Sequence, residues 1–272
     1  MTDRYAVIGN PVAHSKSPWI HAQFARETGQ DLAYGLLEAP LDGFERAVDE
    51  FRAAGGRGLN VTLPFKERAR TLASRVSERA QAAGAVNTLS FDERGISGDN
   101  TDGVGLVRDL VQNLGFALSG SRVLLMGAGG AARGVLAPLA ASGAARIVLA
   151  NRSPDRARAL AAALPGAPLE VRDYGALGGE SFDLVVNATS AGLSAGASSG
   201  LPWPPAGVLA PGVLAYDMVY GRDTLFLAQA RAAGARARDG SGMLVEQAAE
   251  SFFIWRGVRP DTRKVLAALG AG

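Results

Sequence analysis

VLLMGAGGAAR, residues Val123–Arg133, joins a short apolar run to a glycine turn and then to a helix-forming segment. Gly127, Gly129 and Ala132 follow the spacing G-x-G-x-x-G/A, which is typical of a strand–turn–helix that binds a dinucleotide. The first glycine permits the tight turn, the second lets the backbone approach a pyrophosphate, and the small third residue lets the helix pack on the strand. The phosphates lie at the helix N-terminus, where free N–H groups point outward. The segment predicts a nucleotide site, although an ordinary glycine-rich turn can have the same spacing.

The next strand-like run, residues 146–150, follows at the distance that a βαβ unit requires, which favours the nucleotide site. An NAD site normally carries Asp or Glu at the end of this strand, where it binds the ribose 2′-hydroxyl. This chain instead has Asn151, Arg152 and Ser153, with Arg156 one turn further on. A carboxylate would repel a 2′-phosphate, whereas arginine pairs with it. The sequence therefore predicts NADP(H) in preference to NAD(H).

Composition narrows the class of protein. The chain has 272 residues, of which 47% are apolar and 20% charged, as in globular proteins, and its net charge of +2 gives no reason to expect nucleic acid as a partner. No apolar run is long enough to span a bilayer, and the N-terminus enters a strand-like segment without a secretory signal pattern. The absence of cysteine and the presence of only two histidines argue against a metal site. We expect a soluble cytoplasmic protein with no metal and no membrane partner.

Strand and helix also alternate before the glycine turn, which predicts an N-terminal α/β domain with a largely parallel sheet. Ser17 is the expected N-cap of the first helix, and residues 104–114 the helix that leads into the nucleotide domain. His14 is interpreted as a turn residue and His21 as a helix-surface residue.

Lysine is rare here, because only Lys16, Lys66 and Lys264 occur among 28 basic residues. Lys66 falls in the first turn of a predicted helix, where the macrodipole disfavours a cation. A lysine retained at such a place suggests acid–base chemistry, since arginine does not release its proton. A solvated lysine is the alternative; simple surface charge is the better interpretation for Lys264, and Lys16 is left open.

Polar residues at strand ends are further candidates, because open α/β sheets bind ligands there. Ser15 and Ser17 place two hydroxyls before a helix, an arrangement that suits a polyol or a carboxylate. Asp102 could act in chemistry or simply cap its helix, and Asn87 could be a ligand or a turn residue. Gln247 could be a ligand or a partly exposed helix residue.

Nine segments, taken together and in order along the chain, resemble the shikimate dehydrogenase family. They are residues 9–18, 60–66, 84–88, 100–103, 127–131, 151–153, 187–190, 217–220 and 242–247. Each segment alone has modest specificity, and the set is highly specific. Family members often carry Thr where Ser153 stands, which keeps the hydroxyl and loses a methyl group.

The resemblance implies a two-domain enzyme that reduces 3-dehydroshikimate to shikimate with NADPH. It implies a substrate domain of residues 1–103 and 242–272, to which the C-terminal helices return, and a Rossmann-type NADP-binding domain of residues 104–241. It assigns the catalytic acid–base pair to Lys66 and Asp102, which also contact substrate. The other implied substrate ligands are Ser15, Ser17, Thr62, Asn87, Tyr220 and Gln247. The implied cofactor ligands are Gly127, Ala128, Gly129, Gly130 and Ala131 for the pyrophosphate, Asn151, Arg152, Ser153 and Arg156 for the 2′-phosphate, and Thr189, Met218 and Gly240 for the nicotinamide half.

Three other interpretations are open. A relative with relaxed use of quinate or NAD is the nearest of them. A non-catalytic dinucleotide sensor would need the glycine turn without Lys66, Asp102 or the serine pair, and a methyltransferase-type fold would leave the N-terminal domain unexplained. The sequence does not distinguish a monomer from a homodimer.

Overall fold

The computed structural model describes residues 2–189, 204–205 and 207–270, so Ser190 of the 187–190 segment lies outside the described residues. The described chain forms two compact units. The chain up to Leu106 and the segment Leu244–Gly270 form the first unit, and Val107–Met243 form the second.

The first part of the chain folds as strands interleaved with short helices. The strands are β1 Asp3–Gly9, β2 Leu32–Glu38, β3 Gly56–Val61, β4 Arg75–Val76, β5 Thr88–Asp92 and β6 Gly95–Asp99, and the helices are α1 Ser17–Thr28, α2 Phe44–Ala53, α3 Lys66–Leu72, α4 Glu78–Ala83 and α5 Asp102–Arg108. The strands form one sheet in the order β2-β1-β3-β5-β6-β4. β1 pairs in parallel with β2 and β3, and β4 with β6, whereas β5 is antiparallel to both β3 and β6. The carboxyl ends of β1 and β3 therefore share an edge of the sheet.

The second unit is a doubly wound parallel sheet. Its elements are β7 Arg122–Met126, α6 Gly130–Ala141, β8 Arg146–Ala150, α7 Pro154–Ala162, β9 Leu169–Arg172, β10 Leu184–Asn187, β11 Leu214–Asp217, α8 Leu225–Ala232 and β12 Arg236–Arg238. The strand order β12-β11-β10-β7-β8-β9 is that of a Rossmann fold, with the switch point between β7 and β10. Strands β7, β8, β10 and β11 are almost wholly buried, as expected for a parallel sheet covered on both faces.

The chain closes with two helices, α9 Ser241–Arg256 and α10 Arg263–Leu269. Most of α9 and all of α10 belong to the first unit. Within that unit Trp255 Nε1 donates to the carbonyl of Leu89 on β5 at 3.1 Å. The α/β class and the Rossmann-type sheet predicted from the sequence are confirmed.

Two local predictions are wrong, and a third is refined. Lys16, not Ser17, precedes the first helical residue of α1, and the Ser17 hydroxyl makes no capping bond; instead Ser15 Oγ accepts from the Ser17 N–H at 3.2 Å. The predicted helix 104–114 is α5 followed by a π-helical turn, Asp109–Asn113. His21 is completely buried, whereas a helix-surface position was expected.

Candidate active site

An ion pair joins the first residue of α3 to the first residue of α5. Lys66 Nζ donates to Asp102 Oδ2 at 2.6 Å, and the two side chains are 17% and 7% exposed. The N–H of Asp102 donates to Asn100 Oδ1 at 3.1 Å. The side chain of Asn100, rather than that of Asp102, therefore caps the start of α5. The Asp102 carboxylate is therefore directed to Lys66, as expected for a pair that exchanges a proton with a ligand.

Asn87 holds the second oxygen of that carboxylate. Its Nδ2 donates to Asp102 Oδ1 at 2.8 Å and to Thr101 Oγ1 at 2.9 Å, while its Oδ1 accepts from the Thr101 N–H at 2.9 Å. Asn87 is 3% exposed. Its carboxamide thus links the residue before β5 to the residues that begin α5, and it fixes the orientation of Asp102.

Gln247 reaches the same cluster from α9. Thr101 Oγ1 donates to Gln247 Oε1 at 3.4 Å, and Gln247 Nε2 donates to the Leu244 carbonyl at 2.8 Å. The side chain is half-buried. Lys66, Asp102, Asn87 and Gln247 are therefore brought together in the first unit.

Thr62 follows β3 and lies against the end of β1. Its N–H donates to the carbonyl of Ile8 at 2.9 Å. A Cβ at Gly9 would fall 2.4 Å from Thr62 Cγ2, so only glycine at residue 9 allows this approach. Thr62 thus lies at the carboxyl edge of β1 and β3, where ligands of α/β sheets bind.

The serine pair forms a small hydroxyl cluster. Ser15 Oγ donates to Ser17 Oγ at 3.1 Å; Ser17 is 6% exposed and Ser15 is partly exposed. Ser15 Oγ also accepts from the N–H of Ser17, the first residue of α1, at 3.2 Å, whereas the Ser17 hydroxyl makes no capping bond to the helix. Lys16 between them is exposed, and His14 is an exposed turn residue as expected.

Sequence reasoning missed a polar cluster centred on Asn60. The Tyr34 phenol donates to Asn60 Oδ1 at 2.7 Å. Asn60 Nδ2 faces three acceptors, namely the Asn87 carbonyl and Thr88 Oγ1, both at 3.2 Å, and Ser251 Oγ at 2.9 Å. One signal was present, because Ser251 lies one helical turn beyond Gln247. Tyr34 carried no signal, because it sits in an ordinary strand pattern.

His21 packs in an aromatic environment next to this cluster. Its ring stacks on Tyr34 with centroids 4.1 Å apart and an interplanar angle of 6°. Burial lowers the pKa of the imidazole to about 3, and the nearby Asn60 carboxamide offsets only part of this effect. Neither ring nitrogen has a hydrogen-bond partner among the described residues. His21 is therefore a neutral packing residue at physiological pH.

In the second unit the glycine turn lies at the switch point of the sheet. Gly127 adopts a φ of +108°, and a Cβ there would fall 3.0 Å from the Ala188 carbonyl oxygen and 3.2 Å from Thr189 Cγ2. Gly129 precedes the first helical residue of α6, Gly130. Backbone conformation and close packing thus both require glycine at residue 127, and the N-terminus of α6 is placed to receive phosphate.

The segment after β8 matches the chemistry of a 2′-phosphate. Asn151 Nδ2 donates to the Ser153 carbonyl at 2.8 Å, which shapes the turn before α7. Arg152 and Arg156 are exposed, and neither guanidinium group has an ion pair or hydrogen bond within the described ranges. Both guanidinium groups are therefore available to a phosphate, which arginine binds in bidentate geometry.

Thr189, Met218 and Gly240 come together at the ends of β10, β11 and β12. Asn187 Oδ1 accepts from Thr189 Oγ1 at 2.7 Å, and the Met218 N–H donates to the Asn187 carbonyl at 3.0 Å. A Cβ at Gly240 would fall 2.5 Å from the Met218 carbonyl oxygen. The three residues predicted for the nicotinamide half thus form one cluster.

Asp217, which sequence reasoning did not select as a site residue, supports this cluster through buried hydrogen bonds. It is fully buried and accepts from Asn187 Nδ2 at 3.2 Å, the Val219 N–H at 3.1 Å and Thr224 Oγ1 at 2.5 Å. Burial raises its pKa, and the three donors counteract that effect. Tyr220 follows shortly after and belongs to this second unit, unlike the other predicted substrate ligands.

No group of three or more His, Asp or Glu side chains in the described parts of the chain could hold a metal ion. No described helix is long and apolar enough to cross a membrane.

A Rossmann-type sheet with a glycine turn at its switch point and a part-buried lysine–carboxylate pair in another α/β unit are the features of a dinucleotide-dependent oxidoreductase. The comparisons with known proteins agree. Family profiles match residues 7–89 (Shikimate dehydrogenase substrate binding domain), 109–195 (Shikimate / quinate 5-dehydrogenase) and 240–269 (Shikimate 5'-dehydrogenase C-terminal domain). The chain belongs to the shikimate dehydrogenase family.

Individual relatives are similar over their whole length. The Shikimate dehydrogenase (NADP(+)) of Dechloromonas aromatica (strain RCB) is 61% identical, covering 100% of this chain and 98% of the relative. The crystal structure of an Ael1 enzyme from Pseudomonas putida superposes with a TM-score of 0.92 at 52% identity, covering 98% of each chain. Shikimate 5-dehydrogenase (AroE) from Thermus thermophilus, solved in complex with NADP(H) and shikimate, gives a TM-score of 0.87 at 36% identity and 99% coverage of each chain.

Proposed function

We propose that this chain catalyses the reversible, NADPH-dependent reduction of 3-dehydroshikimate to shikimate, as a cytoplasmic enzyme of chorismate and aromatic amino acid biosynthesis. The observation that carries the proposal is the Lys66–Asp102 pair, with its 2.6 Å separation and its burial. The relative of Dechloromonas aromatica, which is 61% identical, supports the choice of substrate and cofactor.

Lys66 and Asp102 act as the acid–base pair. NADP(H), when bound, would supply the hydride for the substrate ketone. The Lys66–Asp102 pair would supply the proton to the oxygen of that ketone as it is reduced. A positioned acid of this kind contributes about 10²–10⁴-fold to the rate.

The remaining polar residues hold and orient the substrate. Ser15 and Ser17 bind its carboxylate, because their two hydroxyls lie 3.1 Å apart beside the start of α1. Thr62, Asn87, Tyr220 and Gln247 hold hydroxyl groups of the substrate or orient its ring. Asn87 has a double role, since the amide that would meet a substrate hydroxyl also fixes Asp102.

The unit Val107–Met243 binds NADP(H). The turn from Gly127 to Ala131 takes the pyrophosphate, and Asn151, Arg152, Ser153 and Arg156 surround the 2′-phosphate. Thr189, Met218 and Gly240 lie along the nicotinamide half. Their backbone is fixed by Asn187 and Asp217, so the nicotinamide meets a preorganised surface.

The direct test is absorbance at the NADPH band for purified protein with shikimate or quinate, each with NADP or NAD. We expect the pairing of shikimate with NADP to give the highest kcat/KM by at least about tenfold, because a lost charged phosphate contact is worth that much. Turnover of quinate at a similar rate would instead identify a relative of relaxed specificity. Folded protein that binds NADP without turning over any pairing would be a sensor and would contradict the proposal.

A further inference from the structure

Asp99, the last residue of β6, holds the two asparagines that contact Asp102. Its carbonyl accepts from the Asn87 N–H at 3.0 Å, and its Oδ1 accepts from the Asn100 N–H at 2.7 Å. Asn87 in turn donates to the Asp102 carboxylate, and Asn100 Oδ1 accepts from the Asp102 N–H. Asp99 is therefore a common anchor for the side chain and the backbone of Asp102.

Arg79, on α4, fixes the carboxylate of Asp99. Its Nε donates to Asp99 Oδ1 at 2.6 Å and its Nη2 donates to Asp99 Oδ2 at 2.9 Å, the bidentate geometry that holds a carboxylate in one orientation. Ser77 Oγ donates to the same Oδ1 at 2.6 Å. The Arg79 and Asp99 side chains are 30% and 20% exposed, so water competes only in part for these bonds. The guanidinium therefore determines where the Asp99 carboxylate lies.

The same guanidinium also contacts α9. Arg79 Nη1 donates to Glu250 Oε1 at 3.1 Å, and the Glu250 side chain is 8% exposed. Glu250 lies three residues after Gln247, so the two side chains are neighbours on the helix. Three nitrogens of Arg79 each meet a carboxylate oxygen, which requires the planar fork of donors that lysine lacks. Arg79 thus joins α4 to the end of β6 and to α9.

We propose that Arg79 is a positioning residue for the acid–base pair: by fixing Asp99 it holds the Asp102 carboxylate at Lys66. This inference rests on the proposed function of the site. Arg79 acts through Asp99 and the two asparagines, so its effect falls on the rate of the chemical step in each folded molecule. Binding of NADP(H), which we assign to the unit Val107–Met243, should not depend on it.

The test measures kcat per shikimate-binding site, with the sites in each sample counted by calorimetric titration with shikimate. A change that affects only folding alters the number of sites and leaves this rate constant as it is. For Arg79→Met, whose side chain is uncharged, we expect kcat per site to fall at least about tenfold, as for one lost hydrogen bond to a charged group, with an unchanged KM for NADP. The matched control is Arg75→Met in the same unit, which should keep the wild-type kcat. It removes a guanidinium bonded to Asp92 at 2.7 Å and to the Arg94 carbonyl at 3.0 Å.

A double-mutant cycle with Asp99→Asn decides whether Arg79 acts through Asp99. If it does, the double variant has about the kcat of the slower single variant, whereas independent effects multiply. If Arg79→Met does not fold, Arg79→Lys carries the same test, because it keeps the charge and loses the fork of donors. A kcat per site within twofold of the wild type, or losses that multiply in the cycle, would overturn the proposal.

Backbone hydrogen exchange is a measurement that needs no turnover. In Arg79→Met the N–H groups of Asn100 and Asp102 should exchange at least about tenfold faster than in the wild type, because their segment opens locally. The Thr62 N–H, bonded to the Ile8 carbonyl in the same sheet, should keep its rate. Equally faster exchange at all three residues would mean that Arg79 only stabilises the unit, which contradicts a positioning role. Wild-type protein without shikimate turnover would refute the proposed function alone, and the exchange rates would still decide whether Arg79 holds Asp102.

Discussion

Lys66 occupies a position that helix electrostatics alone would not favour. It begins α3, where the free N–H groups and the macrodipole repel a cation. The Asp102 carboxylate, 2.6 Å away, offsets that repulsion locally. The lysine is therefore retained for its partner rather than for its helix, which agrees with its rarity in a chain that otherwise uses arginine.

Substitution of Lys66 separates its charge from its ability to transfer a proton. Lys66→Arg keeps the positive charge beside Asp102, but a guanidinium does not release its proton at neutral pH. We expect both Lys66→Arg and Lys66→Ala to lower kcat by about 10²–10⁴-fold. Lys264→Arg, on the exposed face of α10, is the control and should leave kcat and KM for shikimate unchanged. If Lys66→Arg retains nearly full turnover, only the charge of Lys66 matters.

At the residue scale, sequence reasoning selects residues whose type conflicts with their position and overlooks residues whose type agrees with it. A lysine at a helix start and two hydroxyls before a helix both indicated function. Tyr34 gave no indication, because an aromatic residue in a strand is ordinary. His21 was misplaced, because a polar residue type argued for the surface, whereas its stack with Tyr34 makes it part of the core.

At the scale of elements, the central strands of the second unit could be predicted and its edges could not. β7, β8, β10 and β11 are short apolar runs, as buried parallel strands are. β9 and β12 have four and three residues and contain charged side chains, which protect the edges of a sheet from aggregation but hide the strand pattern. The pairing of β5 with β6 as a hairpin was also missed.

The turn between β8 and α7 should set the choice of cofactor. Arg152→Ala removes a guanidinium that has no partner in the described chain and is free to bind a 2′-phosphate. We expect KM for NADPH to rise at least about tenfold and KM for NADH to change little, because only NADPH carries that phosphate. The control is Arg158→Ala, further along α7, whose guanidinium already pairs with Asp155 at 2.7 Å. Equal weakening of both cofactors would show that Arg152 does not contact the 2′-phosphate.

At the scale of the whole molecule, sequence reasoning could not predict contacts between distant parts of the chain. Asn60 and Ser251 are 191 residues apart in sequence and bond at 2.9 Å. Arg79 and Glu250, 171 residues apart, form an ion pair at 3.1 Å. Local patterns determine helices and strands, but they do not show which polar groups meet after the chain has returned to its first unit. The polar cluster around Asn60 could therefore not be deduced from the sequence.

The same first unit should lose stability in mild acid because of His21. Its pKa is about 3 in the folded chain, whereas an unfolded histidine titrates near 6.5, so the unfolded state binds more protons between these values. The contribution of the neutral His21 side chain to the free energy of unfolding is complete above pH ~6.5 and is lost as the pH falls towards ~3. When the pH is lowered from ~7 to ~5, we expect the free energy of unfolding to fall by about 2 kcal/mol because of His21.

Urea unfolding at both pH values, followed by the fluorescence of Trp19 and Trp255 in that unit, measures this loss. His21→Phe keeps an aromatic ring without a titrating group and should lose about 2 kcal/mol less than the wild type over this pH interval. His14→Gln, at the exposed turn, should behave like the wild type. An identical pH dependence for His21→Phe and the wild type would mean that His21 is not buried in its neutral form.

The three lysines also make the chain suited to covalent labelling of amines. Lys16 and Lys264 are exposed, and a reagent that acylates primary amines should modify them readily. Lys66 is 17% exposed and ion-paired with Asp102, so its amine should be modified more slowly. The three lysines lie in separate tryptic peptides, so mass spectrometry of a briefly labelled sample measures the labelling of each one. The labelling of Lys66 then reports whether a ligand occupies the acid–base pair, and Lys16 and Lys264 serve as internal standards in the same molecule.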